Sequence, residues 1–382
     1  MSFYSRAIDI IQERDGWADC VYLDLKKAFD KVPHQRLLWK IQSVGGLQGK
    51  TLEWITDFLK NREMRTVIKD EKSEWCKVIS GVPQGTVLAP VMFLLYINDK
   101  VDEVDSYISL FADDAKLLKR VENNTDCEML QNDLNKIYEW SKRWEMEFNA
   151  NKCKVMELGK SKRRQTKQYT MGEVEIMKTK EEKDLGITIS ENLSPEKHVN
   201  NIVGTTYELL RKIKRAFTYM DEEMMKKLTE YMIRPRLEYT ATIWSPHSKK
   251  DIRKIERIQR AATKMVPSIQ DLPYEDRLKR LGLPTLQQRR ERGDLIAIYR
   301  VSKGKNQVDN EDLFMWDSRD TRGHSMKLKK TACRRDVKKH SFPNRSIEIW
   351  NNLDETVVQA RNIHEFKVKL DACRYGDRTA RA

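Results

Sequence analysis

The 382 residues hold 72 Lys and Arg against 58 Asp and Glu, a net charge of +14 and a pI near 9.3, with 39% hydrophobic content. This composition suits one large or two to three ordinary globular domains and excludes a disordered chain. The charge is uneven, with residues 1–150 summing to −4 and residues 151–382 to +18, which suggests that chemistry and polyanion binding are divided between them.

The N-terminus, MSFYSRAIDIIQERDG, has no apolar signal core. Cys20–Leu25 is a short β-branched strand candidate, followed by the helix-prone KKAFDKV and by two helices over 35–44 and 49–61. Arg65–Asp70 and Trp75–Ile79 form a candidate hairpin around Glu71–Ser73. SGVPQG is a loop by its Gly and Pro content. It leads into an expected helix over 87–99 that is apolar on most sides and hence expected to be buried. Val87–Ile97 is also the longest apolar run, about half of what a membrane span needs. Tyr107–Ala112 and Ala115–Val121 are expected as strands hinged on Asp113–Asp114. Leu130, Leu134, Ile137, Trp144 and Phe148 recur at helical spacing and predict an amphipathic helix over 125–148. Strand-like pieces follow at 154–158, 169–177 (folded at Gly172) and 185–189.

From Ser194 the pattern turns helical. Ser194 and Pro195 provide an N-cap and a first helical residue. An apolar stripe then runs to Phe217, and further helices are expected at 221–233, 249–266, 273–281, 286–302 and 363–373. Six scattered cysteines (Cys20, Cys76, Cys127, Cys153, Cys333, Cys373) form no C-x-x-C pair or Cys/His cluster. They are expected to be reduced thiols of an intracellular protein with no secretion signal or membrane span.

Transfer of a nucleotide onto a 3′-hydroxyl requires carboxylates that converge from rigid elements on hard divalent cations. Asp24 ends a strand, and Asp113 and Asp114 sit at a hairpin turn, so placement on neighbouring strands would let them share such ions. Alone, an Asp-Asp turn is ordinary turn chemistry. The order of several pieces changes its meaning. LDLKKAFDKV, SGVPQGTVLAPVMFLLYIND, SLFADDAKLL, NANKCKVM and DLGITI, in that order, resemble the motif set of reverse transcriptases, closest to the non-LTR (LINE-type, jockey-like) retrotransposon enzymes. LEYTATIWSPHSKKDIRKIERIQRAATKMV and YEDRLKRLGLPTLQQRRERGDLIAIYRV resemble the segment that follows the palm in those elements.

The resemblance implies an α+β polymerase palm, an antiparallel sheet with helices on one face, followed by a mainly helical thumb. It implies palm and incomplete fingers over 1–190, a basic thumb-like region over 191–305 and a basic C-terminal region over 306–382. It further implies an RNA template, a DNA primer, dNTPs and two Mg²⁺ ions (Mn²⁺ as substitute). Asp24, Asp113 and Asp114 match the metal-binding carboxylates, and Phe29 matches the steric gate against a ribose 2′-OH. Leu25, Gln84 and Gly85 match positions that meet the incoming nucleotide. Lys152 falls in the motif that supplies a lysine to the leaving pyrophosphate, with Lys154 an open alternative two positions on. Leu185 and Gly186 match the primer grip.

Arg211, Lys212, Lys214 and Arg215 cluster off the apolar stripe of their helix and suit duplex phosphates, whereas the basic helix over 249–266 is equally a solvated face. Trp244 and Trp350 are expected in the core, and the basic runs 160–164 and 327–339 carry a weak nuclear-entry pattern. Only Arg6 and Arg14 are basic upstream of Asp24, where the family has its fingers. The sequence-level expectation is therefore an N-terminally truncated enzyme, with a second reading as an inactive remnant that only binds nucleic acid.

Overall fold

The apolar ADCVYL segment becomes β1 (Ala18–Leu23), the central strand of a five-stranded sheet in the computed structural model. The structure describes residues 1–14, 16–101, 104–159, 167–304, 313–317, 319 and 323–375. All of β1 is buried except Tyr22, which suits a strand paired on both edges and covered on its faces. On one side it pairs antiparallel with the second arm of the hairpin β2 (Tyr107–Phe111) and β3 (Asp114–Arg120), Leu23 lying opposite Ala115. On the other it pairs antiparallel with β4 (Lys154–Leu158), to which the edge strand β5 (Met177–Thr179) adds in parallel. The order is β5-β4-β1-β3-β2, an antiparallel sheet apart from its last edge.

Helices α1 (His34–Ser43), α2 (Gly49–Leu59), α3 (Leu88–Ile97) and α4 (Asn124–Arg143) pack with the sheet's Val21, Leu23, Leu117 and Val155 into one apolar core. A reciprocal capping box between Asn123 and Asp126 starts α4. A charge is also built into this core. Lys40 is fully buried, and its Nζ lies 3.6 Å from the Trp144 ring centre, 4.8 Å from Tyr96 and 5.3 Å from Trp140. It donates to Asp99 Oδ1 at 2.6 Å and to the Tyr96 carbonyl, and Trp140 Nε1 donates to the same Asp99 oxygen at 3.1 Å. Burial pulls the Lys40 ammonium below its usual range, opposed by Asp99.

Four sequence expectations change here. KKAFDKV is a turn rather than a helix, because Lys27 adopts φ 49° and the chain folds back through Asp30 and Lys31 onto the Lys27 carbonyl. The exposed hairpin turns at Lys69–Asp70, with Lys69 at φ 55° and Ile68 opposite Glu71, and not at Glu71–Ser73. α3 is buried on one side only, since Val91 and Leu94 are exposed; a uniformly apolar helix has no periodicity from which to read its buried side. α4 stops at Arg143, with Trp144 as C-cap and Glu145 at φ 56°, and Phe148 instead bridges to Leu25.

The chain divides into two units, Asp15–Lys180 and a second made of Met1–Arg14 with Glu181–Ala382. The sequence-based palm boundaries at 1 and 190 therefore differ from those of the first unit. In the second unit the helix Ser2–Gln12 packs on the short helix Asp336–Lys339, and Lys338 bonds to Asp9. The same unit holds the hairpin β6 (Glu181–Asp184) and β7 (Ile187–Ser190) and the helices α5 (Glu196–Ala216), α6 (Lys249–Thr263), α7 (Tyr274–Leu281), α8 (Leu286–Ser302) and α9 (Ile363–Tyr375). Trp244 and Trp350 are core residues. No helix among the described residues is long and apolar enough to cross a membrane.

Candidate active site

Beyond the end of β1 the backbone stays pinned. Asn149 N–H donates to the Asp24 carbonyl at 2.7 Å and Lys26 N–H to the Glu147 carbonyl at 2.8 Å. On the neighbouring strand, the register of Leu23 opposite Ala115 carries the Ala112–Asp113 turn to the same end of the sheet as Asp24. Ala112 makes that two-residue turn with φ 50°, a left-handed value that costs a residue with a Cβ about 1–2 kcal/mol. Asp113 is half-buried in the turn, and Asp114 is exposed at the start of β3.

Asp24 Oδ2 is buried and accepts no hydrogen bond, while the Lys152 ammonium stands 3.5 Å from it. Lys152 occupies the turn that closes on the Asn149 carbonyl at 2.8 Å. Lys154 instead reaches the Asn151 carbonyl at 3.3 Å, so of the two candidate lysines the structure brings Lys152 to Asp24. No group of three or more His, Cys, Asp or Glu among the described residues is gathered as a metal cage. The Asp24 carboxylate, with one oxygen that accepts no hydrogen bond, and the Asp113 carboxylate at the same sheet end are nevertheless the hard oxygen donors that suit Mg²⁺, which completes its octahedron with water and substrate phosphates.

Phe29 is half-buried and stacks on buried Phe93 of α3, ring centres 4.3 Å apart. The SGVPQG loop is laced to the strip that carries Phe29. Val82 N–H donates to the Phe29 carbonyl and Gly81 N–H to the Val32 carbonyl, both at 2.8 Å, and Gln84 Nε2 donates to Asp30 Oδ1 at 2.7 Å. At Gly81 (φ 90°) a Cβ would fall 2.8 Å from the Asp30 carbonyl oxygen, so only glycine fits. Gly85 (φ 85°) has open space where a Cβ would stand, which leaves its backbone approachable. Leu25 is buried and offers a ligand its backbone only. The sequence reading passed over two residues here. Asp30 bonds Gln84, and Glu147 holds Lys31 and Lys26 at 3.2 and 3.5 Å. The Lys31 and Lys26 ammonium groups hold the Glu147 carboxyl below the usual carboxylate range. Asp30 was legible as the last residue of KKAFD; Glu147 had no signal.

The remaining candidates belong to the second unit. Leu185 (φ 46°) and Gly186 (φ 84°) make the tight turn of the β6–β7 hairpin, and Tyr239 donates to the Leu185 carbonyl at 3.3 Å. Arg211, Lys212, Lys214 and Arg215 are exposed on the last turns of α5. On α6, Lys250 pairs with Glu196 at 2.9 Å and Lys254 donates to Asn200 at 2.7 Å, so part of that charge is used within the fold. In the 327–339 run, Lys330 pairs with Glu348 and Lys338 with Asp9; the 160–164 run lies outside the described residues.

A sheet with this strand order, with acidic residues at one strand end and a glycine loop laced to a phenylalanine strip, is arranged like the palm of template-directed polymerases. Residues 6–189 match the family model described as reverse transcriptase (RNA-dependent DNA polymerase), and that segment carries the reverse transcriptase fold. It is 26% identical over 266 residues to the probable RNA-directed DNA polymerase from transposon X-element of Drosophila melanogaster, covering 65% of this chain and 28% of that protein. To the RNA-directed DNA polymerase from mobile element jockey of Drosophila funebris it is 24% identical over 282 residues, covering 70% and 30%. The chain thus spans under a third of the length of these curated relatives. Among solved structures, telomerase from Candida albicans in complex with a TWJ fragment of telomeric RNA aligns with a TM-score of 0.39 and 13% identity, over 71% of this chain and 51% of that one.

Proposed function

We propose that this chain is the polymerase portion of a non-LTR retrotransposon reverse transcriptase, extending a DNA primer on an RNA template with dNTPs by two-metal nucleotidyl transfer. The observation that carries the reading is the Asp24 carboxylate, whose buried Oδ2 accepts no hydrogen bond and faces the Lys152 ammonium, at the sheet end it shares with Asp113 and Asp114. Asp24 and Asp113, with Asp114 beside them, would hold two Mg²⁺ or Mn²⁺ ions. When bound, such ions supply Lewis-acid stabilisation to the attacking and leaving oxygens. Lys152, exposed apart from its contact with Asp24, is the proton donor to pyrophosphate. Gln84 and the backbone at Gly85 meet the nucleotide. Leu185–Gly186 steadies the primer end, and the α5 cations hold duplex phosphates. In domain terms, the proposed bounds are 1–190 for the palm with partial fingers, 191–305 for the thumb-like region and 306–382 for a basic region, with residues 1–14 and 181–190 packing in the second unit.

Primer extension on an RNA template, with Asp113→Ala as control, tests the reading. Salt-sensitive binding without incorporation above that control would instead make the chain a nucleic-acid-binding protein only. Two further results are expected. Phe29→Val opens space beside the sugar, so the ratio of kcat/KM for dNTP over rNTP falls by about tenfold or more, the scale of a few methylenes in a pocket. Replacing Arg211, Lys212, Lys214 and Arg215 together by alanine weakens primer–template binding. It also lowers the slope of log affinity against log salt by up to about 0.9 per lost phosphate contact. An unchanged slope would remove α5 from the duplex.

A further inference from the structure

Asp30 follows Phe29, the proposed gate, and among the described residues its carboxylate accepts one side-chain hydrogen bond. Gln84 Nε2 donates to it at 2.7 Å across 54 residues of chain. Both side chains are exposed, where a hydrogen bond competes with water and adds little to stability. The surrounding backbone is fixed without that carboxylate. Ser80 Oγ donates to the Asp30 carbonyl at 2.9 Å, the Val82 and Gly81 amides bond to Phe29 and Val32, and Gly81 packs directly on the Asp30 backbone. What the carboxylate adds is control of one rotatable group. A carboxylate only accepts, so it decides which end of the Gln84 amide faces it. One N–H is engaged, and the carbonyl oxygen with the second N–H is left for a ligand.

We propose that Asp30 is a positioning residue for nucleotide selection, orienting the Gln84 carboxamide toward the incoming deoxynucleoside triphosphate. The inference rests on the polymerase reading of the same site. Losing the anchor leaves the amide free to rotate and flip, so its bond to the nucleotide forms less often while the chemical step is untouched. Steady-state single-nucleotide incorporation on a primer–template is therefore expected to show KM for dNTP raised about tenfold in Asp30→Ala, with kcat within about twofold. Asp30→Asn keeps an accepting oxygen and recovers most of the KM. Gln84→Ala matches Asp30→Ala, and the double variant is no worse than either single one, because both act through one contact.

Unchanged KM in Asp30→Ala with an active parent overturns the inference, as does an additive double variant or a loss confined to kcat. If Asp30→Ala does not fold, Asp30→Asn and Gln84→Ala alone decide it. Equal inactivity of the parent and Asp113→Ala overturns the polymerase reading, and this role with it.

Discussion

Replacing Asp113 with alanine is expected to reduce single-nucleotide incorporation on an RNA template by about a thousandfold or more while leaving the melting temperature almost unmoved. Asp113 sits half-exposed in a two-residue turn outside the apolar core, so its removal forms no cavity. Substitutions of that kind shift stability by about 0.5 kcal/mol or less. The catalytic side is different in scale. If Asp113 shares the ions with Asp24, its loss forfeits several kcal/mol of transition-state stabilisation, and each 1.36 kcal/mol is tenfold in rate. Rate and melting curve are measured on the same preparations. Retention of more than about a tenth of parental activity would remove Asp113 from the metal set. A parallel fall in melting temperature would make it a structural residue.

The second large effect falls on the fold. Lys40→Ala deletes a buried cation that touches three aromatic rings, Asp99 and the Tyr96 carbonyl. Removing one partner of a buried ion pair typically costs 3–5 kcal/mol. Asp99 is 30% exposed and keeps the Trp140 donor, which places the expected loss near the lower end, about 3 kcal/mol. For a unit of this size that is a fall of about 6–12 °C in Tm. Lys40→Met restores most of the apolar contact and is expected to lose less. The pH dependence has a definite sign. Burial lowers the folded-state pKa below the ordinary 10.5, so the folded state gives up its proton first. The desolvation penalty, fully present at neutral pH, is relieved as pH rises through that window. Lys40→Met therefore lacks an alkaline gain that the parent has. Denaturant midpoints at pH 7 and 9.5 measure it; equal differences between the two proteins at both values would show that the ammonium bears no such penalty.

How much of this was legible in the sequence depends on how local each signal is. β4 lies over 154–158, where the sequence is strand-like, and β1 differs from its expected span only at the ends. The Gly172 turn is likewise a local feature. What could not be read are decisions taken by distant chain. Glu145 leaves α4 although nothing in WEME marks a stop, because Phe148 must reach Leu25. Lys152 and Lys154 are equivalent in sequence and separate only once the Asn149 turn brings one of them to Asp24. The Lys40 cage draws on Tyr96, Asp99, Trp140 and Trp144, which no periodicity links to Lys40. The N-terminal helix, contiguous in sequence with the palm, belongs to the other unit through Asp9 and Lys338.

The strip from Asp24 to Val32 is held between segments that enter from far along the chain. The glycine loop arrives across about 50 residues, and the segment carrying Glu147 across about 120. Closing such loops is entropically late and slow. The candidate site therefore cannot be complete before these long-range closures are made. In a refolding experiment, incorporation should appear with the slowest tertiary phase and never with the early helical signal, so activity would report completed folding rather than partial order.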